Sequence, residues 1–144
     1  LDSNSNTYRS ISLLFVEDEE LTLKLQASIL AAKFPDVTLF TAANGKLGLE
    51  LFKAHSPEIV ITDINMSEMC GVQMAENIRA LKPDTKIIAI TGRSGTSSKN
   101  GKFMLRNSEG KAIEFDHLIV KPVDLYELCD VIEQCIGEIE LQIS

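Results

Sequence analysis

Basic residues are in short supply. The 144-residue chain has 14 Lys and Arg against 21 Asp and Glu, a formal charge of -7 at pH 7. A nucleic-acid surface needs clustered cations, so that class of partner is not expected. Long apolar runs are also missing: none approaches the ~20 residues that cross a bilayer. The first ten residues are polar, without the apolar stretch of a secretory signal. The sequence starts at Leu1 rather than Met, which is consistent with a trimmed chain whose downstream domain lies outside it. Only three cysteines occur, Cys70, Cys129 and Cys135. An odd count without ligand spacing points to free thiols in a reducing, cytoplasmic setting. Cys129 and Cys135 fall in an apolar helical pattern and read as core residues. The two histidines, His55 and His117, share no ligand spacing, and no metal role is expected for either. What remains, 44% hydrophobic and 24% charged residues, is the composition of one globular domain able to bury a core.

The apolar residues are organised in short runs. Residues 11–16, 37–41, 58–62, 86–91 and 117–120 read as strands, several of them continuous enough to be buried on both faces. Residues 19–34 predict a helix whose Leu21, Leu25 and Ile29, four apart, form one face, ended by Pro35. Asn44 predicts the N-cap of a second helix carrying Leu47, Leu51 and Phe52, closed by Ser56-Pro57. Gly71 precedes a third with Met74, Ala75, Ile78 and Leu81. Asp124 and Glu127 have capping-box spacing before a last helix with Leu125, Leu128, Ile132, Cys135, Ile139 and Ile143. Five alternations of strand and helix imply an α/β sheet with right-handed crossovers. Residues 92–116 interrupt the pattern. Residues 102–106 and 111–115 flank Asn107-Ser-Glu-Gly110, which favours a small hairpin over the rival, a ragged helix near residues 99–107. Residues 1–9 read as a disordered leader. Residues 138–144 read as a helical tail or the start of a linker.

Four of the strands run into residues suited to phosphate chemistry: Glu17-Asp18, Asp63, Thr91 and Lys121. In a parallel sheet, ligands bind outside the carboxyl ends of the strands. A carboxylate there can accept a phosphoryl group as an acyl phosphate, which makes Asp63 the candidate acceptor. Crowded carboxylates and an incoming phosphate suit Mg²⁺ or Mn²⁺, with Asp18 and Asp63 as direct ligands and Glu17 acting through a water. Lys121 supplies the remaining positive charge, and the Thr91 hydroxyl can donate to a phosphoryl oxygen.

These residues carry a resemblance. Val16-Glu17-Asp18-Glu19, Ile61-Thr62-Asp63-Ile64-Asn65-Met66, Gly71, Thr91 and Val120-Lys121-Pro122 resemble, in order and across residues 10–137, a response-regulator receiver domain of two-component signalling. The resemblance implies a flavodoxin-like (βα)5 fold, a doubly wound parallel five-stranded sheet of order 2-1-3-4-5. It implies that Asp63 takes its phosphoryl group from a histidine kinase or histidine phosphotransfer protein, and that the main-chain carbonyl of Asn65 is a further metal ligand. It also implies a conformational switch controlling a downstream output domain or protein, with a homodimer as a further option. Such a domain is not a turnover enzyme. Three features depart from the pattern: Ser67 stands where Pro is usual, Leu118 beside His117 stands where an aromatic residue is usual, and residues 92–116 are long. The phosphorylation chemistry is therefore expected to be retained and the signalling surface to be unusual. Two other readings compete. One is a degenerate receiver that binds partners without phosphate. The other is a haloacid-dehalogenase-like phosphatase, which would need Asp-x-Asp after the first strand. No G-x-G-x-x-G or P-loop supports a nucleotide-binding module.

Overall fold

The computed structural model describes residues 10–66, 68–92, 98–99 and 101–143. A parallel sheet is built from β1 (Ser12–Val16), β2 (Thr38–Ala42), β3 (Ile59–Asp63), β4 (Lys86–Thr91) and β8 (His117–Val120). Its order is β2-β1-β3-β4-β8, the doubly wound arrangement with β1 at the switch point. Pairing is in register, with Val16 opposite Thr62 and Asp63 opposite Ile90. The middles of the central strands are apolar because both faces are covered, and their polar residues, among them Thr62, Asp63, Lys86 and Thr91, stand toward the ends. Successive residues serve opposite faces: Leu13, Phe15, Ile59, Ile61, Ile88 and Ile90 point into one cluster, and Leu14, Val16, Val60, Ile87 and Ala89 into the other.

Helices α1 (Glu20–Lys33) and α4 (Leu125–Ile143) cover the first face; α2 (Gly45–His55) and α3 (Gly71–Leu81) cover the second. Asn44 caps α2 by accepting the Leu47 N–H at 2.8 Å, and Ser56 ends it in the left-handed region. Asp124 accepts the N–H groups of Tyr126 and Glu127 at the start of α4. Leu128, Ile132, Cys135 and Ile139 of that helix are buried, as their spacing predicts. Burial pushes the Cys135 thiol up to about 12.

The structure corrects two expectations. On α1 the buried positions are Leu23 and Leu30, with Ala27 partly buried between them, while Leu21 and Leu25 are 75% and 64% exposed. The helix carries two apolar stripes, one stepping by four and four and the other by four and three, both compatible with a helical face, and periodicity alone does not choose between them. The second correction concerns the five strand–helix alternations. Among the described residues four helices occur, and no helix separates β4 from β8. That interval holds a three-stranded antiparallel sheet of β5 (Ser98–Lys99), β6 (Lys102–Arg106) and β7 (Ala112–Phe115). The predicted hairpin is therefore present and the ragged helix is not. Its turn is closed by Asn107, whose side-chain oxygen accepts the N–H groups of Glu109 and Lys111 at 2.9 Å, with Gly110 at φ +83°. Phe103, Leu105, Ile113 and Phe115 project from one side of the hairpin into the second core cluster, beside Met74, Ala75 and Ile78 of α3. The hairpin does the covering work of a helix. The expectations for residues 1–9 and for Ser67 lie outside the described residues.

Candidate functional site

The carboxyl ends of β1, β3, β4 and β8 bring together all of the strand-end residues singled out above. Asp63, the last residue of β3, is 2% exposed. Its Oδ2 accepts a charged hydrogen bond from Lys121 Nζ at 2.8 Å, and its Oδ1 accepts the Asn65 N–H at 3.2 Å. Glu17 follows β1 and is 5% exposed; its Oε2 accepts the Glu19 N–H at 3.0 Å, which turns the chain into α1. Glu17, Asp18 and Asp63 each place a carboxylate oxygen within 4.8 Å of the others. Thr91 is buried at the end of β4, and its carbonyl accepts the Lys121 N–H at 2.7 Å. The Lys121-Pro122 peptide is cis.

Electrostatics follow from this crowding. Burial pushes the Glu17 carboxyl above its usual range; the Glu19 N–H opposes this, and the negative charges of Asp63 and Asp18 add to it. The hydrogen bond to Asp63 holds the Lys121 ammonium above its usual value. Among the described residues, Lys121 faces the carboxylates of Asp63, Glu17 and Asp18. The donor set is hard oxygen of net negative charge, which fits a divalent cation, and Mg²⁺ in particular takes one or two carboxylates and keeps several waters.

Glycine is required where the site meets α3. A Cβ on Gly71 would lie 2.4 Å from the Asp63 carbonyl oxygen, and the Gly71 N–H donates to the Ile64 carbonyl at 2.9 Å. The loop after β3 is held close to Asp63 by this approach. Gly45 plays a similar part from α2, where a Cβ would lie 2.2 Å from the Met69 carbonyl oxygen. Leu118, at the position where an aromatic residue was expected by resemblance, is half-buried against the second core cluster.

Sequence reasoning missed Asp116. It is 6% exposed and sits between the hairpin and β8. Its Oδ2 accepts Arg79 Nη2 at 2.9 Å and the Ile87 N–H at 2.8 Å, and its Oδ1 pairs with Lys102 Nζ. Burial pushes this carboxyl up, but the bonds from Lys102, Ile87 and Arg79 together hold it below the usual range. An acid directly between Phe115 and the run of residues 117–120 was the available signal, with Glu114 two residues before it.

A five-stranded parallel sheet of this order, with three acids and a lysine at its carboxyl edge, defines a doubly wound α/β module with a charged site at its strand ends. Residues 13–133 match the model of the response regulator receiver domain, and the chain belongs to that family. It is 30% identical over 137 residues to the hybrid signal transduction histidine kinase G of Dictyostelium discoideum, covering 93% of this chain and 4% of that protein. It is 32% identical over 87 residues to the autoinducer 1 sensor kinase/phosphatase LuxN of Vibrio campbellii, covering 60% of this chain and 10% of that protein. The chain thus spans a tenth or less of these curated relatives. Among solved structures it is similar to a receiver domain protein of Methanospirillum hungatei, with a TM-score of 0.72 at 23% identity over 93% of this chain and 99% of that one. The response regulator TrrA of Thermotoga maritima, solved in complex with Mg²⁺-BeF, gives a TM-score of 0.69 at 28% identity, covering 87% of this chain and 98% of that one. Among the described residues no helix is long and apolar enough to cross a membrane.

Proposed function

We propose that this chain is a phosphoacceptor receiver domain of a two-component system, working in the cytoplasm, with Asp63 as the acceptor. The observation that carries the reading is the Lys121–Asp63 contact of 2.8 Å beside the carboxylates of Glu17 and Asp18. An Asp63 carboxylate oxygen attacks phosphorus, a P–O bond to Asp63 forms, and the bond to the donor's leaving group breaks. With a histidine kinase or histidine phosphotransfer protein as donor, the leaving group is an imidazole. Likeness to sensor and hybrid kinases supports a donor of that class.

Asp18, Asp63 and the Asn65 main-chain carbonyl would hold Mg²⁺ (or Mn²⁺), with Glu17 acting through a water. The ion, when bound, neutralises charge on the transferring group. Lys121 is already placed at Asp63 to exchange its carboxylate partner for a phosphoryl oxygen. Thr91 is tied to Lys121 through the backbone, and its hydroxyl is the donor through which β4 reads the modification. The domain makes one phosphoryl adduct per chain and is not a turnover enzyme. Its signalling face is the hairpin surface, where β6 and β7 replace a helix and pass the change to an output domain or protein.

Intact mass after incubation with Mg²⁺ and acetyl phosphate tests the acceptor. A single phosphoryl adduct on the parent and none on Asp63→Asn is expected. An equal adduct on both, or none on a folded parent that binds Mg²⁺, overturns the assignment. Thr91→Ala is expected to keep the adduct while losing the phosphorylation-dependent change in amide exchange over β6 and β7. Unchanged exchange differences in that variant would refute the role given to Thr91.

A further inference from the structure

We propose that His117, Cys135 and Glu138 form a second metal site, for a borderline-soft divalent ion of the Zn²⁺ class, beneath α4 and away from the acidic edge. One ligand atom from each residue lies within 4.8 Å of the other two. A tetrahedral ion with ligands at about 2.0–2.3 Å sets them about 3.3–3.8 Å apart, so binding would draw the three ligand atoms closer together.

The three residues are placed by rigid elements. His117 is the first residue of β8, whose last residue, Val120, adjoins Lys121. The site therefore lies at the end of the strand opposite Asp63. Cys135 and Glu138 are three apart on α4 and share one helix face. Cys135 is fully buried, His117 is half-buried, and the Glu138 side chain is 41% exposed. The cluster is thus closed on the core side and open on the solvent side, where water can complete the coordination.

The donor chemistry separates this cluster from the one at Asp63. One imidazole nitrogen, one sulfur and one carboxylate suit Zn²⁺ or Co²⁺, whereas three carboxylates suit Mg²⁺. On binding, the Cys135 S–H bond breaks, the proton leaves to solvent and sulfur donates to the metal. Thiolate and carboxylate then balance the two positive charges. Lys86 Nζ is 3.1 Å from Glu138 Oε1 and stands as the resident cation that the metal displaces or shares.

Co²⁺ titration of the full chain, with Mg²⁺ saturating the acidic edge, reads the sulfur directly through thiolate-to-metal charge-transfer absorption. One equivalent with that band is expected. Cys135→Ser should abolish the band, and Cys70→Ser, at an exposed position, should keep it. His117→Gln and Glu138→Gln, at less buried positions that leave the core intact, should each weaken Zn²⁺ binding by about 10–100-fold or more. Lys86→Met should tighten it. Absence of the band in the parent, its loss in Cys70→Ser, or unchanged Zn²⁺ affinity in both His117→Gln and Glu138→Gln would overturn the proposal.

Discussion

At the scale of single residues, two buried acids do different work. Asp63 is paired with one lysine, Lys121, whose side chain is 41% exposed. Asp116 is held by Arg79, Lys102 and a backbone N–H, and its pairing is structural. Removing it leaves Arg79, which is 18% exposed, without its carboxylate. Asp116→Ala is expected to cost about 3 kcal/mol, the low end for breaking a buried pair because Lys102 can reach solvent. A lower urea midpoint at unchanged slope would show it. The pH dependence has a definite sign. The Asp116 carboxyl in the folded chain titrates below its ordinary value of 3.8, so its contribution is present above that value and is lost as pH falls through the lower one. Asp116→Asn should therefore flatten the stability profile on the acid side of 3.8, and an unchanged acid limb would contradict the network's role.

At the scale of elements, α1 shows how little helical periodicity says about direction. Leu21, Leu25 and Ile29 form as regular a stripe as Leu23, Ala27 and Leu30, yet the sheet takes the second. Leu30→Ala should cost about 2–5 kcal/mol as a core truncation. Leu25→Ala should stay within about 0.5 kcal/mol. Thermal or urea unfolding of the two variants checks the assignment, and equal losses would reverse it. The hairpin is the complementary case. The segment from Asn107 to Gly110, flanked by residues 102–106 and 111–115, announced the hairpin, and the structure turns Phe103, Leu105, Ile113 and Phe115 to its buried side. That this side would cover α3 and β4 in place of a helix was not legible, because any element with an apolar face of suitable area satisfies the same core.

At the scale of the whole molecule, the sheet separates two apolar layers and gathers charge at its rim. Three carboxylates at one edge repel one another in the metal-free chain. Mg²⁺ at about 100 times its dissociation constant should add about 2.7 kcal/mol of stability. Asp18→Asn should raise the metal-free melting temperature and abolish most of the Mg²⁺-induced rise. Melting curves with and without Mg²⁺ measure both, and an undiminished rise in the variant would remove Asp18 from the ligand set. The sequence by itself determined the strand runs, the order of the α/β alternation up to β4, and the four strand ends on which Glu17, Asp18, Asp63, Thr91 and Lys121 stand. Those features are local, since β-branched apolar runs and the residues that end them are read over a few positions. Only the tertiary structure decided which stripe of α1 is buried, that Asp116 joins Arg79 and Lys102, and that His117 lies against Cys135 and Glu138. Each depends on contacts between segments distant in the chain, for which the spacing of residues carries no period; the approach of His117 to Cys135 and Glu138 is the plainest instance.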